Sequence, residues 1–423
     1  MIHYITTNGI GNAWVAAELE IMQRKGIPLV LHSLRAPHQN FFGSESAAKL
    51  NRETRLIYPL PALGFAASLL LAPFLFGTRF FAALWNALFG QRENPRARVA
   101  GIAHFLVACH WARGLRKRRK DEPVSLIHAH WINSSGTVGM YGAWLLDVPY
   151  SFTGHAVDLF RDRVALEDKI RRAQIIVCIS NFHREFYLKH GARPEQLHVV
   201  YCGIDTSDFA FRRKPRNGVA RIVSVGRLVE KKGFDILIDA CKLLSERGVP
   251  YACAIAGDGP LESALRKQVA DAKLDDRVQV GGKALLQEEL PGFLAAADIF
   301  AQPCVWSKDN DVDGTPRTLM EAMAVGLPSV STRIAGIPDI IEHEQSGLLT
   351  EPNDTKALAD ALERLIKEPA YADKLAAGGR ARIERKFEIN TCLDSLALLF
   401  SSVVRGPWSV AKAELSSTER VAL

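Results

Sequence analysis

Short apolar runs recur along the chain between amphipathic stretches, and that alternation restricts the fold more than any single motif. The runs are Ile2–Thr6, Leu29–Leu34, Leu126–His128, Tyr150–Thr153 and Ile175–Ile179, then Arg221–Val225, Ala252–Ala256, Ile299–Ala301 and Ser329–Ser331. Strands that alternate with helices pair in parallel, and the helices cover both faces of the sheet. The best-defined helix follows Gly233, with Ile236, Leu237, Ala240, Leu243 and Leu244 on one face at helical spacing. Between the two groups of runs lies FRRKPRNGVAR (211–221), charged and broken by Pro215 and Gly218, which reads as a linker. The expectation is an α/β chain of two doubly wound, Rossmann-like domains facing a cleft. They take residues 1–212 and 213–388, and 389–423 supplies a helix returning to the first domain plus a tail. A ligand of such a pair belongs in the cleft.

At 423 residues the chain can fill two domain cores, and 23% charged with 48% apolar residues is a globular composition. The seven cysteines are odd in number, scattered and free of any CxxC pair, which suits buried thiols in a reducing compartment. The start, MIHYITTNG, lacks the basic-then-apolar pattern of a signal peptide, so cytoplasmic residence is expected. The net charge of +7 favours polyanions.

Two stretches interrupt the first half. From Leu56 to Thr78 there is no charged residue, and apolar character continues through Phe80, Phe81, Leu84, Trp85, Leu88 and Phe89. The length would permit a membrane span, but Pro59, Pro61, Pro73, Gly64 and Gly77 disfavour one clean helix. A single crossing would also put the first strand and those after residue 125 on opposite sides of the bilayer. An insert of about 56–120, seated in the membrane surface or packed on the domain, satisfies both points. RGLRKRRK (113–120) is either a solvated helix end or the polybasic half of a membrane anchor. Nucleic acid is not expected, because no aromatic platform accompanies these charges.

The chemistry concentrates in DGTPRTLMEAMAVGLPSVSTRIAGIP (313–338). Thr315 is a natural N-cap and Pro316 a natural first helical residue, so a helix start there would offer free N–H groups to an anion just behind Asp313 and Gly314. Glu321 lies one to two turns further along. The preceding KDNDVDG also mimics the start of a calcium loop, although its twelfth position is Met320. A plain surface loop leading into a core helix built on Leu319, Ala322 and Met323 is the third reading. SVGRLVEKKGFD places Arg227 and Lys232 on one strand-to-helix loop, able to neutralise two phosphates, or else to pair with Glu230 or Asp235. AGDGP and GIGNAW are further glycine turns after strands, where Gly257, Gly259, Gly9 and Gly11 would admit a ligand close to the backbone. Of the histidines, His128 reads as a satisfied core residue, while His155, followed by Asp158, sits at a strand end facing the cleft. No ligand set of metal-site spacing is visible.

Together these motifs resemble the retaining glycosyltransferases of family 4, which have the GT-B fold. The resemblance rests on GIGNAW, IHAHW, SFTGHAVDLF, CGID (202–205), SVGRLVEKKG, AGDGP and DGTPRTLMEAMAVGLP, in that order over most of the chain. HAHW, FTGHAVDLF and the last motif look most like the bacterial branch that builds exopolysaccharides and colanic-acid-type polymers. The resemblance implies that Arg227 and Lys232 grip the diphosphate of a nucleotide-sugar donor and that Glu321 holds the ribose. It implies further that Asp313 holds sugar hydroxyls, that the backbone of Gly314, Thr315, Pro316 and Arg317 lies along sugar and phosphate, and that His155 touches the donor sugar. The family pattern has Glu at the position of Asp313, so this chain has a shorter reach there. Transfer would proceed without a metal, onto a saccharide acceptor, lipid-linked if the insert is a membrane element at the inner face of the cell membrane. A nucleotide-sugar epimerase or phosphorylase on the same fold, or a non-catalytic sugar-nucleotide-binding subunit, are the competing readings.

Overall fold

The computed structural model describes residues 1–10, 13–37, 45–155, 159, 163–211, 218–282 and 285–403. Among the described residues two parallel sheets form. The first is built from β1 (Ile2–Asn8), β2 (Leu29–Arg35), β3 (Arg55–Leu56), β4 (Leu126–His130), β5 (Tyr150–Thr153), β6 (Ile175–Cys178) and β7 (Leu197–Val199), in the order β3-β2-β1-β4-β5-β6-β7. The second is built from β8 (Ala220–Val225), β9 (Tyr251–Ala256), β10 (Val278–Val280), β11 (Ile299–Gln302), β12 (Ser329–Thr332) and β13 (Leu348–Thr350), in the order β10-β9-β8-β11-β12-β13. Each sheet starts at its centre, runs to one edge, then crosses over and runs to the other. This is the doubly wound pattern twice, the GT-B arrangement.

Every apolar run singled out in the sequence becomes a strand of one of these sheets, and the helix after Gly233 spans Phe234–Glu246. It buries Ile236, Leu237, Ala240 and Leu244, with Leu243 half-buried at the margin. The strands that the apolar runs did not reveal are β3, β7, β10 and β13. All four are sheet edges of two or three residues, too short to carry a periodic signal.

Between β3 and β4 the insert folds into three helices, Ala62–Phe76, Thr78–Phe89 and Pro95–Arg118. The first two meet at 119° across Gly77. No single helix among the described residues is long and apolar enough to cross a membrane. Since β3 and β4 lie in one sheet, the chain leaves and re-enters on the same side. Asn94 caps the long third helix through its side chain, which accepts from the Ala97 N–H, and Pro95 occupies its first turn. Ala72, Phe76, Ala83 and Ala87 of the insert join the first domain's core against Phe105 and Tyr141. Buried Arg92 fastens the assembly: it pairs with Asp168 at 2.7 Å and donates to the Asn86 carbonyl and the Tyr141 hydroxyl.

The passage between domains begins at Gly203, before the charged 211–221 stretch, for Ile204 and Phe209 already lie in the second domain's core. Here the chain runs beside its own return. The Ile204 N–H donates to the Phe387 carbonyl at 2.9 Å, the Ile389 N–H donates back to Ile204 at 3.0 Å, and Thr206 Oγ1 donates to Glu388 at 2.6 Å. The final helix, Ile389–Val403, then lays Leu393, Leu396 and Phe400 against Ile2, Leu126 and Ile175 of the first domain.

Candidate active site

In sheets of this winding a ligand lies beyond the carboxyl ends of the strands where the order reverses. Those ends are β1 and β4 in one sheet, β8 and β11 in the other; Gly9 follows β1, Arg227 and Lys232 follow β8, and Asp313 to Glu321 follow β11, whereas Gly257 and Gly259 follow β9 and His155 follows β5. After β8 comes Gly226, then exposed Arg227, then a short 3₁₀ turn at Glu230–Lys232 closed by Gly233 with φ +65°. A Cβ at Gly233 would run into the Pro303 carbonyl beyond β11, so glycine lets the β8 and β11 loops touch. Lys232 folds back over Gly226, whose hypothetical Cβ would lie 3.0 Å from Lys232 Cε.

Gly257 and Gly259 behave differently from the sequence-based expectation. Both serve a close backbone approach, yet the approaching backbone is the chain's own. A Cβ on Gly257, at φ +144°, would collide with the Gly226 carbonyl, and one on Gly259 with Leu228. Hydrogen bonds from Gly226 to Ala256 (3.0 Å) and from Leu228 to Asp258 (2.7 Å) close the two loops together. These glycines therefore seat the loop that presents Arg227 and Lys232. Gly9 likewise faces protein, with Pro37 and Asn51 where a side chain would go. Gly11 and Asp158 lie outside the described residues.

Beyond β11, Lys232 Nζ forms an ion pair with Asp313, and Lys231 one with Asp311 at 2.8 Å. Ser307 donates to Asp309 at 2.5 Å. The three aspartates of the calcium-like stretch are thus each directed to a different partner. Burial works to raise the Asp313 carboxyl, but Lys232 beside it holds it below the ordinary value. Burial likewise opposes charge on Lys232, and Asp313 holds that amine above its ordinary value. The neighbouring Glu230 and Asp235 do not pair with Arg227; among the described residues Arg227 forms no ion pair.

The helix that follows differs in its start from the sequence-based expectation. It spans Arg317–Val325, so Thr315 is not its N-cap and Pro316 is not its first residue. Pro316 occupies the cap position with extended backbone, ψ 114°, and no side chain caps the helix. The reason lies in the Gly-Ile-Pro turn: the Gly336 N–H donates to the Gly314 carbonyl at 2.8 Å, holding Gly314 and Thr315 off the helix axis. The uncapped start leaves its first N–H groups facing the Asp313–Gly314 loop. Glu321, one turn in, is 3% exposed and lies 3.7 Å from Arg317. Burial raises its carboxyl, with Arg317 and Gln287 partly offsetting that. Arg317 also donates to the Gly203 carbonyl at 3.2 Å, tying this helix to the interdomain passage.

Across the cleft, His128 is the satisfied core residue expected, bonded to Ser151 at 2.9 Å and Thr153 at 3.2 Å. His155 Nε2 meets His130 Nε2 at 2.9 Å, and His130 Nδ1 meets the Tyr4 hydroxyl. Tyr4 donates to Glu18 at 3.3 Å. Burial lowers the His155 pKa to about 4 and holds His130 well below the ordinary value, so both rings are neutral. With Tyr4 donating to Glu18, its oxygen accepts from His130 Nδ1–H. His130 Nε2 then accepts from His155 Nε2–H, and one tautomer follows along the whole line. Tyr4 and Glu18 escape sequence reasoning because they come from β1 and the helix after it, with no motif of their own; Gly226 and Gly336 lie inside motifs in which the charged residues carry the signal.

Burial pushes the Glu18 carboxyl up to about 7. An acid raised in the folded state destabilises the fold once the unfolded form ionises. Stability therefore falls as pH rises from about 4.5 to 7, by roughly 3 kcal/mol for this group. Glu18→Gln removes that dependence. Urea unfolding at pH 5 and pH 7.5 should show the variant gaining about that much on the wild type at the higher pH. Parallel pH profiles for the two proteins would contradict the assignment.

Comparison with known proteins follows the same division of the chain. The family model described as glycosyl transferases group 1 matches residues 206–382, and Glycosyltransferase Family 4 matches residues 55–208. The two models meet where the chain passes between domains. The amylovoran biosynthesis glycosyltransferase AmsK of Erwinia amylovora is 36% identical over 251 residues, covering 57% of this chain and 61% of AmsK. The putative colanic acid biosynthesis glycosyltransferase WcaL of Escherichia coli is 39% identical over 325 residues, 75% of this chain and 74% of WcaL. Among solved structures, Anabaena HepE in complex with UDP shares the fold with a TM-score of 0.68 at 18% identity, over 95% of this chain and 99% of HepE.

Proposed function

The chain belongs to the glycosyltransferases of family 4, and from that membership we propose that it moves a sugar from a nucleotide-diphosphate-sugar to a saccharide acceptor in the building of a surface or exocellular polysaccharide. The observation that carries this reading is the cationic group at the second switch point. Lys232 and the exposed Arg227 stand on the loop after β8, and Lys232 is ion-paired to Asp313 on the loop that leads from β11 into the uncapped start of the Arg317–Val325 helix. A diphosphate there is met by two side-chain cations and helix N–H groups. The likeness to AmsK and WcaL supports the polysaccharide context.

In this mechanism the sugar–phosphate bond breaks, the ring carbon gains oxocarbenium character and the leaving oxygen gains negative charge. Arg227 and Lys232 stabilise that oxygen, which supplies the charge that a metal provides elsewhere. Asp313, already on Lys232, orients the amine and accepts from a sugar hydroxyl. Glu321 holds the ribose after exchanging part of its contact with Arg317, and His155, fixed by His130, faces the sugar. The acceptor hydroxyl attacks from the side the diphosphate leaves and passes its proton to the departing phosphate oxygen, so the anomeric configuration is retained. The reaction takes place in the cytoplasm, where nucleotide-sugars are supplied.

A panel of nucleotide-sugars, assayed for nucleoside diphosphate release with membrane saccharide extract, tests the reading. One donor should give release coupled to label in the saccharide, with product NMR showing the donor's anomeric configuration. EDTA should change the rate by less than about twofold. An epimerised free nucleotide-sugar, or binding without turnover, would overturn the proposal in favour of an epimerase or a binding subunit.

A further inference from the structure

The Ala62–Phe76 and Thr78–Phe89 helices are built inside out. Their buried positions are small or short, at Ser68, Ala72, Ala83 and Ala87, with Phe76 the exception. Their large apolar side chains stand in solvent: Leu63 (88% exposed), Leu70 (74%), Phe74 (86%), Phe81 (59%), Trp85 (67%) and Phe89 (62%). Leu63, Leu70 and Phe74 recur at helical spacing along one face, as do Phe81, Trp85 and Phe89 on the other arm. Arg79 is the sole charged residue between Ala62 and Phe89, and it is engaged by Asp147 at 2.6 Å. A soluble domain rarely leaves so continuous an apolar surface uncovered.

Its neighbour is cationic. Arg113 donates to Ser68 Oγ at 3.1 Å and to the Gly64 carbonyl at 3.4 Å, so the basic end of the long helix lies beside the first apolar arm. From there Arg116, Lys117, Arg118, Arg119 and Lys120 are all exposed. The acids facing them are Asp121 and Glu122, and Glu122 is already occupied by Arg55 at 2.5 Å and Arg118 at 3.5 Å. We infer that this V of helices, with the 113–120 basic run, is a docking surface for an anionic lipid bilayer. The apolar faces enter one leaflet and the cations meet the headgroups. The arms have 15 and 12 residues and the bend is 119°, so each reaches roughly 18–22 Å, short of a hydrocarbon core of about 30 Å. With both ends fixed in one sheet the element lies in the leaflet and does not traverse it.

Vesicle flotation of the full chain tests this with no donor or acceptor present, so it is independent of the transfer reading. The protein should float with phosphatidylcholine vesicles containing phosphatidylglycerol and float far less with phosphatidylcholine alone. Leu70→Glu with Phe74→Glu should weaken partitioning at least about tenfold while circular dichroism and the melting midpoint stay unchanged, because both side chains are exposed. Arg116→Glu with Lys117→Glu should weaken it by a similar factor and abolish the preference for anionic lipid. Wild type that fails to float, or variants that float equally, would overturn the proposal. So would a lipid-independent dimer, seen by sedimentation, that the Leu70→Glu/Phe74→Glu variant dissociates.

Discussion

Lys232→Ala should reduce sugar transfer about a thousandfold, the upper end of what loss of one donor to a developing oxyanion produces. The side chain does two things at once in this fold. It lies over Gly226 with its amine toward the loop behind β8, and it neutralises Asp313. Removing it strips charge from the diphosphate subsite and leaves a carboxylate, itself 21% exposed, without its partner. That second effect destabilises the protein by about 1–3 kcal/mol, less than for a fully buried pair because water reaches the group. The double variant Lys232→Ala/Asp313→Asn, read against Asp313→Asn alone, separates the two: its melting midpoint should recover while its transfer falls far below that of Asp313→Asn. Transfer that recovers along with stability would mean that Lys232 only supports the loop. Turnover of the single variant near the wild-type rate would remove the diphosphate assignment altogether.

Arg92→Ala should have the largest effect on stability. Arg92 and Asp168 are 1% and 4% exposed, and losing Arg92 leaves the buried Asp168 carboxylate with only the exposed Arg171 and the Asn86 amide, at a cost of up to about 3–5 kcal/mol. The loss extends past the pair. Asn86 donates to Asp168 at 2.9 Å and Tyr141 donates to Asn86 at 2.9 Å, so Arg92 closes a polar ring that joins the Thr78–Phe89 helix to the domain. Urea unfolding should report the loss, and amide exchange should speed up first in residues 78–89. Replacing both charges with apolar residues of similar volume, Arg92→Met/Asp168→Leu, should restore most of the stability. Equal instability of the double variant would show that the ring, and not the charge left behind on Asp168, is what holds the insert.

The sequence was most legible where elements are long and central. Interior strands of four or more residues announce themselves by apolar runs, whereas β3, β7, β10 and β13 consist of two or three residues paired on one side only. Their identity is set by the neighbouring strand and not by their own residues. Chemistry borne on single loops was equally visible: Arg227, Lys232 and Asp313 fall on facing loops, and Lys232 and Asp313 touch. What the chain hid was what its glycines are for and where a helix starts. Both depend on segments far away in sequence: Gly226 pressing on Gly257, Pro303 on Gly233, and Gly336 drawing Gly314 away from the helix that Thr315 and Pro316 would otherwise begin. The Glu18–Tyr4–His130–His155 line was hidden for the same reason, since its members span β1, the following helix, and the ends of β4 and β5.

The return of the Ile389–Val403 helix to the first domain has a consequence for how the protein is made. Ile2, Leu126 and Ile175 emerge from the ribosome early, yet the residues that cover them, Leu393, Leu396 and Phe400, emerge after both sheets. At about 5–20 residues per second, the interval from Ile204 to Phe400 is on the order of 10–40 s. Through that interval the nascent first domain carries an open apolar seam that nothing yet synthesised can fill. The domain begun first is thus the one completed last, and a chain released early would expose that seam to chaperones and proteases.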